Sequence, residues 1–311
     1  MIAIRVMTVA DVPLAMRLKE QALWNQTLAD WWRFLALEPQ GCFVAHWHGQ
    51  PAGTAAAFVF GRVGWIAMVL VDRALRGRGI ATRLMEHALA YLDNRGVRSV
   101  RLDATPLGRP IYERLGFTAQ WELTRLEGVA PNPGMGGQAA SSVGWACSAD
   151  PPTCLPAASP PDELPFGLVP FSALSPAQFA ELSALDAQTN GTDRQRLLAL
   201  LDCDAPGAAR ALLAAGRLRG FAMLRNGSRA TQIGPVAVLD DEAGLALFQA
   251  MARQTAARPI FVDIPDGNLP AVRWAQLQGL TVQRRFTRML RGQPIVERPA
   301  YLWASSGPEK G

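Results

Sequence analysis

Apolar positions along the chain change period in an order that occurs twice. Ile2, Ile4 and Val6 alternate with polar neighbours, the spacing of a half-buried strand over residues 2–8. Asp11 as N-cap and Pro13 in the first turn then open a helix with Leu14, Leu18 and Ala22 on its buried face. A second helix is predicted over residues 27–37. Its adjacent Trp31 and Trp32 cannot face the same way, and core packing of both is expected. Residues 41–48 and 54–60 predict a hairpin turning at 49–53, followed by a strand at 65–71. The helical period returns at Ile80, Leu84, Ala88 and Leu92 and stops at Gly96. A strand at 98–103 has Val100 and Leu102 on one face, and a short helix at 109–115 and a strand at 117–126 complete the set.

The second half repeats this outline. Helices are predicted at 176–186 and 192–201, a hairpin at 210–225, a central strand at 231–239, a helix at 242–255, a strand at 260–264 and a short helix at 270–278. Asn268 stands eleven residues before Gly279, as Thr105 stands eleven before Gly116. Between the halves, residues 128–163 are punctuated by Pro, Gly and Ser and are too poor in periodic apolar positions to build a core. The expected organisation is two domains, 1–127 and 164–311, joined by that linker.

Composition narrows the class. The chain has 311 residues and 49% apolar content, enough for two cores. No apolar run approaches the ~18 residues of a bilayer span, and the amino-terminal stretch has no basic region before its apolar residues. A cytoplasmic protein without membrane contact is expected. The net charge of +5 comes from scattered arginines and no block of like charges, which argues against nucleic acid and for one anionic ligand. Cys42, Cys147, Cys154 and Cys203 form no C-x-x-C pair, and His46 and His48 have no third ligand of matching spacing, so reduced cysteines and no metal are expected.

The chemistry concentrates where the period changes. An apolar run from Met68 to Val71 leads into Arg76-Gly77-Arg78-Gly79-Ile80-Ala81-Thr82 and the helix beyond. The first N–H groups of a helix have no internal partner and sit at its positive end, so such a turn suits an anion. Gly77 and Gly79 permit backbone conformations closed to other residues, and Arg76 and Arg78 add charge beside the amides. A diphosphate fits. A nucleoside-triphosphate loop would need a lysine followed by Ser or Thr, yet the lysines are Lys19 and Lys310. A dinucleotide fingerprint would need a small residue where Thr82 stands and an acid ending the next strand, which Asp103 can supply, so this alternative stays open.

Arg76 to Ala81 resembles the R/Q-x-x-G-x-G/A motif of the GCN5-related N-acetyltransferases (GNAT), in the form R-G-x-G-I-G/A. Arg73 stands where many members have proline. Pro110-Ile111-Tyr112-Glu113-Arg114-Leu115-Gly116-Phe117 resembles the family's closing L-Y-x-K-x-G-F. The resemblance implies an α/β (α+β) protein of two GNAT-like domains, each with a mixed, mostly antiparallel sheet flanked by helices. It implies that Arg76, Gly77, Arg78, Gly79, Ile80, Ala81 and Thr82 hold the pyrophosphate of acetyl-coenzyme A. Thr105 falls where many members place an asparagine on the cofactor arm, a backbone N–H near Leu70 or Val71 meets the oxyanion, and Tyr112 protonates the departing thiolate. Asp72 and Asp103 are candidate bases, and neither is assigned.

In the second half Asp240-Asp241-Glu242 replace the basic turn and Ala275 replaces Tyr112, so that copy is expected to lack the cofactor site. The arrangement is similar to the tandem acetyltransferases of bacteria. The implied reaction is transfer of an acetyl group to a primary amine, either a small molecule or a protein N-terminus, in a monomer or homodimer. The alternative is an acyl-coenzyme A sensor without turnover. Finally, the first copy has no local candidate for a last strand. Its open edge is expected to be covered by the second half's sheet or by the apolar segment 300–304.

Overall fold

The computed structural model describes residues 1–130 and 166–310. The expected linker falls almost wholly between these ranges, as do Cys147 and Cys154, and so lies outside the described residues. The first half runs β1 (Ile2–Val6), α1 (Val12–Gln21), α2 (Leu28–Leu37), β2 (Cys42–Trp47), β3 (Gln50–Phe60), β4 (Val63–Val71), α3 (Ile80–Asn94), β5 (Ser99–Ala104), α4 (Arg109–Arg114) and β6 (Thr118–Val129). The second runs β7 (Gly167–Pro170), α5 (Pro176–Asn190), α6 (Gln195–Asp204), β8 (Arg210–Ala214), β9 (Arg217–Arg225), β10 (Thr231–Val238), α7 (Asp241–Gln254), β11 (Pro259–Pro265), α8 (Leu269–Leu277), β12 (Thr281–Gly292) and β13 (Leu302–Ala304). β7, β12 and β13 were not anticipated as strands.

Two mixed, mostly antiparallel sheets merge into one of thirteen strands, ordered β1-β2-β3-β4-β5-β12-β6-β11-β10-β9-β8-β7, with β13 against β10. The joint is an exchange. β12 of the second half pairs with β5, and β6 of the first pairs with β11. β6 and β12 also pair with each other, antiparallel, at the centre. Each half therefore completes its sheet with a strand of the other, which satisfies N–H and C=O groups that an open edge would expose. Of the two expected covers for the first copy's edge, the second half's sheet is the one found; segment 300–304 goes elsewhere.

Buried ion pairs mark the exchange. Arg288 on β12 grips Asp103 on β5 through two bonds of 2.7 and 2.9 Å, and Arg125 on β6 grips Asp263 on β11 through two of 2.7 and 2.8 Å. Arg288 lies over the rings of Trp65 and Trp121, Arg125 over those of Phe261 and Phe286. Bidentate geometry together with ring faces recovers much of what burying a guanidinium forfeits in solvation.

One apolar core spans both halves, with Trp31, Phe34 and Phe58 from the first beside Leu182, Leu198 and Phe221 from the second. Next to it Asp30 is buried among Arg33, Arg225 and Lys310, drawing α2, β9 and the carboxy-terminal residues together. The α1–α2 connection is clamped by the loop before β10: Asn25 receives the N–H groups of Arg229 and Ala230, and buried Lys19 donates to Ser228.

Several local expectations change. Trp31 is fully buried but Trp32 is 48% exposed, as adjacency on a helix dictates. The β2–β3 turn is tight, with His48 and Gly49 at φ 49° and 83°, so β3 begins at Gln50. His48 thus leaves the strand carrying His46, and its Nε2 lies 3.0 Å from the Met1 nitrogen. Asp11 accepts from the Thr8 N–H and pairs with Arg5, capping the 3-10 turn before α1. Among the described residues no helix is long and apolar enough to cross a membrane, and no His, Cys, Asp and Glu cluster can hold a metal.

Candidate functional site

β4 and β5 are parallel and hydrogen-bonded from Val63↔Ser99 to Trp65↔Arg101, and then separate. The cause is in β4. Its register against β3 slips between Thr54 and Ala56, Met68 takes φ 54°, and the Thr54 hydroxyl donates to the Met68 carbonyl at 2.9 Å. Such a bulge re-aims the strand. Beyond it the pairs Thr54↔Leu70 and Gly53↔Val71 are regular, and the Asp72 N–H donates to the Ala52 carbonyl at 2.8 Å. Alternation then turns the Leu70 N–H towards β3 and the Val71 N–H, with that of Val69 two residues back, to the open side. Of the two expected oxyanion donors, Val71 presents its N–H to that side, beside Val69, and Leu70 does not.

At the same end of the strand pair, Gly77 and Gly79 have φ 76° and 77°, and a Cβ on either would meet nothing within 4 Å. Their backbone conformation, not crowding, requires glycine, and the space before the turn is open. Gly79 is the N-cap of α3 and offers no side-chain acceptor, leaving the first-turn N–H groups available. Ile80 is buried with Leu84 and anchors the helix start, while Ala81 and Thr82 are half-buried beside it. The Arg76 Nε donates to the Val71 carbonyl at 3.2 Å, and Arg78 lies 5.5 Å over the Trp47 ring. Neither arginine meets a carboxylate among the described residues. Arg73 ties the turn to α1, its N–H and guanidinium binding the Gln21 side chain and carbonyl at 3.0 and 2.7 Å.

α4 follows β5 at this same end. Tyr112 packs edge-on against Phe117 with centroids 6.2 Å apart, and its hydroxyl has no hydrogen-bond partner among the described residues. Burial pushes the phenol up to about 12, so it holds its proton throughout the physiological range. The Thr105 hydroxyl accepts from the Gly108 N–H at 3.3 Å in the turn before α4, whose N-cap is Gly108. Asp72 acts as a cap, accepting from the Ala74 N–H and from Arg17. Burial would raise its pKa, but that N–H and the guanidinium hold it below the usual carboxylate range. Asp103 is buried against Arg288. Neither acid is placed to act as a base, and Asp103 is not available to a ribose. With most strands antiparallel, the dinucleotide alternative falls with it.

The second copy differs at each point. Asp240 caps α7, accepting from the Ala243 N–H at 2.9 Å and from Arg219, so a carboxylate already occupies the anion position. Ala275 is fully buried where Tyr112 stands in the first copy. β10 leaves β11 after Ile233↔Val262, and β13 enters the gap, pairing Val236↔Ala304 and Ala237↔Leu302.

The opened strand pair of the first copy lies beside a capless, arginine-flanked helix start, and the same order of strands and helices recurs in the second half. Family models agree: residues 13–117 match the Acetyltransferase (GNAT) family and residues 182–304 match an Acetyltransferase (GNAT) domain. The chain belongs to the GNAT acetyltransferases, in tandem. It is 34% identical over 114 residues to an N-alpha-acetyltransferase MAK3 of Arabidopsis thaliana, covering 34% of this chain and 60% of that protein. Across the curated relatives it matches, this chain spans 34% to 60% of their length. A solved putative acetyltransferase from Pyrococcus horikoshii aligns over 100% of this chain and 96% of its own, with TM-score 0.75 and 21% identity. A tandem GNAT protein from the clavulanic acid biosynthesis pathway aligns over 94% and 99%, with TM-score 0.62 and 14% identity. Both share the fold.

Proposed function

We propose that the protein transfers an acetyl group from acetyl-coenzyme A to an amine, and that the first copy alone performs the reaction. The observation that carries this is the meeting, at one end of β4 and β5, of an opened strand pair, an open basic glycine turn and an unpartnered Tyr112 hydroxyl. In this reading the amides from Gly77 to Thr82, with Arg76 and Arg78, hold the diphosphate. Val71 and Thr105 face the amide arm, and the Val69 or Val71 N–H stabilises the oxyanion, a contribution of ~3 kcal/mol for such a donor. Acetyl-coenzyme A supplies the activated acetyl group.

The acceptor amine attacks as the free base, since an alkyl ammonium with a pKa of ~10 has no lone pair to offer. Tyr112 has its proton available as sulfur takes up charge. With its phenol at about 12 against a thiol of ~8.5, complete transfer is uphill, so its part is a hydrogen bond to the leaving sulfur rather than full protonation.

Release of free thiol from acetyl-coenzyme A is the test, across peptide N-termini, amino acids, polyamines and aminoglycosides. Peptide N-termini come first because of the MAK3 relative. Binding of one equivalent per chain with release for one acceptor class is expected. Binding without release for any acceptor would leave an acyl-coenzyme A sensor, and two equivalents bound would refute the single working site.

A further inference from the structure

β5 ends at Ala104, opposite Thr287, so residues 281–286 of β12 run on past it and become the next strand across the opening from β4. One face of the sheet carries α3 and Tyr112 and is the cofactor side in the reading above. The other face, shared by α1, α2, α5 and α6, is left to the acceptor. A bulge decides what β12 presents there. Its register against β6 slips between Val282 and Arg284, which sets Arg284 rather than Gln283 opposite Arg125. Directly opposed residues share a face, and Arg125 lies with the Phe261 and Phe286 rings on the side away from the α7–α8 core. Arg284 is therefore on the acceptor side, at the rim of the opening.

The facing rim comes from the α1–α2 connection. It starts beside the end of β4, where Gln21 binds Arg73, and it is held by the loop before β10. From that loop the Arg229 guanidinium donates to the Leu23 carbonyl at 3.0 Å. Arg229 is exposed and Arg284 half-buried, and neither meets a carboxylate at ion-pair distance among the described residues. Burial, then Arg125 and Arg229, push the Arg284 guanidinium below its ordinary value. Asp263 offsets this in part, but Arg125 already grips both of its oxygens. Guanidiniums gathered in this way, one of them partly desolvated, are relieved by an anion.

We propose that Arg284, with Arg229 beside it, binds an anionic group of the acceptor, a carboxylate or a phosphate, so that the second half selects the amine on which the first half acts. The proposal rests on the transferase reading of the first copy. Arg284 supplies a planar fork that fits either anion in a bidentate manner, and Arg229 adds charge from the exposed rim.

The test measures thiol release by the full chain with acceptors that differ only in the anion. The pairs are a peptide with Glu or Gln at its second position, an amino acid and its amide, and phosphoethanolamine and ethanolamine. The charged member of at least one pair is expected to show a kcat/KM roughly 10- to 100-fold above its neutral partner, the range of a hydrogen bond to a charged group. The pair that responds tells a carboxylate from a phosphate. Arg284→Gln is expected to bring that ratio to within ~3-fold of unity through the acceptor KM, with the KM for acetyl-coenzyme A kept, and Arg284→Lys to retain part of it. Equal kcat/KM within every pair, or a ratio that Arg284→Gln leaves as it was, overturns the proposal. An equal fall for both members of a pair assigns Arg284 to folding and overturns it as well. Where Arg284→Gln does not fold, Arg229→Gln decides, and a ratio unchanged by it overturns the proposal. Absence of release with every acceptor while coenzyme A still binds refutes the transferase reading itself, and this proposal with it.

Discussion

In the first copy β4 parts from β5 after Trp65, and among the described residues no strand enters the gap; in the second, β10 parts from β11 after Ile233 and β13 fills it. The helix that follows begins on bare glycine in one case and on a capping aspartate in the other. Where the copies join, by contrast, they match: Arg288 holds Asp103 and Arg125 holds Asp263 in the same bidentate manner. The fold therefore needs both joints, whereas one groove can be filled without loss of the sheet. In the second copy the chain itself supplies a backbone partner in the gap and a carboxylate at the helix start.

The comparison breaks most severely if the halves are parted. A 1–127 fragment loses β12, which lies between its own β5 and β6, so both strands acquire open edges. It is expected to aggregate, and a monomeric fragment by size-exclusion chromatography with the full protein's kcat would show the exchange to be dispensable. Gly79→Glu gives the first copy what the second has, an acid at the helix start. Repulsion at ~4 Å with an effective dielectric of ~20 amounts to ~4 kcal/mol, so coenzyme A affinity should fall about 10³-fold by calorimetry. Affinity within a few-fold of the original would move the diphosphate elsewhere.

Tyr112→Phe makes the first copy resemble the second more gently. A fall in kcat towards the lower end of ~10²–10⁴ is expected, with unchanged coenzyme A affinity. Because the phenol sits at about 12, the rate of the original enzyme should show no loss of this proton below pH ~11. A kcat equal to that of the original would return Tyr112 to packing alone. The joints should prove equivalent: Arg288→Met and Arg125→Met each strand a buried carboxylate and are expected to cost ~3–5 kcal/mol in urea denaturation, with Arg288→Met/Asp103→Leu recovering most of it. A loss confined to one of the two would break the symmetry.

The smallest effect concerns Lys310. Burial, reinforced by Arg225, lowers its ammonium from 10.5 to about 8. Between these values the unfolded chain binds the proton that the folded one releases, so stability rises from pH 8 towards 10.5, by at most ~1.4 kcal/mol per pH unit. Lys310→Met should flatten that limb, and an unchanged slope would assign it to other groups.

Residues near one another in sequence determined much of this protein by themselves. The change from strand to helical period around Gly77 and Gly79, the second helix near residues 27–37, the stop at Gly96 and the repeated order of elements all depend on chemistry within one or two turns of chain. The acidic replacement at 240–242 was equally legible, because a charge at a helix start acts on that helix whatever surrounds it. Tertiary structure alone decided which strand lies beside which. Nothing near Arg125 or Arg288 in sequence marks it for burial; the exchange sets each opposite an aspartate of the other half. The Val69 N–H faces the open side only because of the bulge at Met68, and segment 302–304 could equally have covered an outer edge. Backbone hydrogen-bonding groups are the same in every strand, so pairing is selected by the space, burial and register that the whole molecule provides.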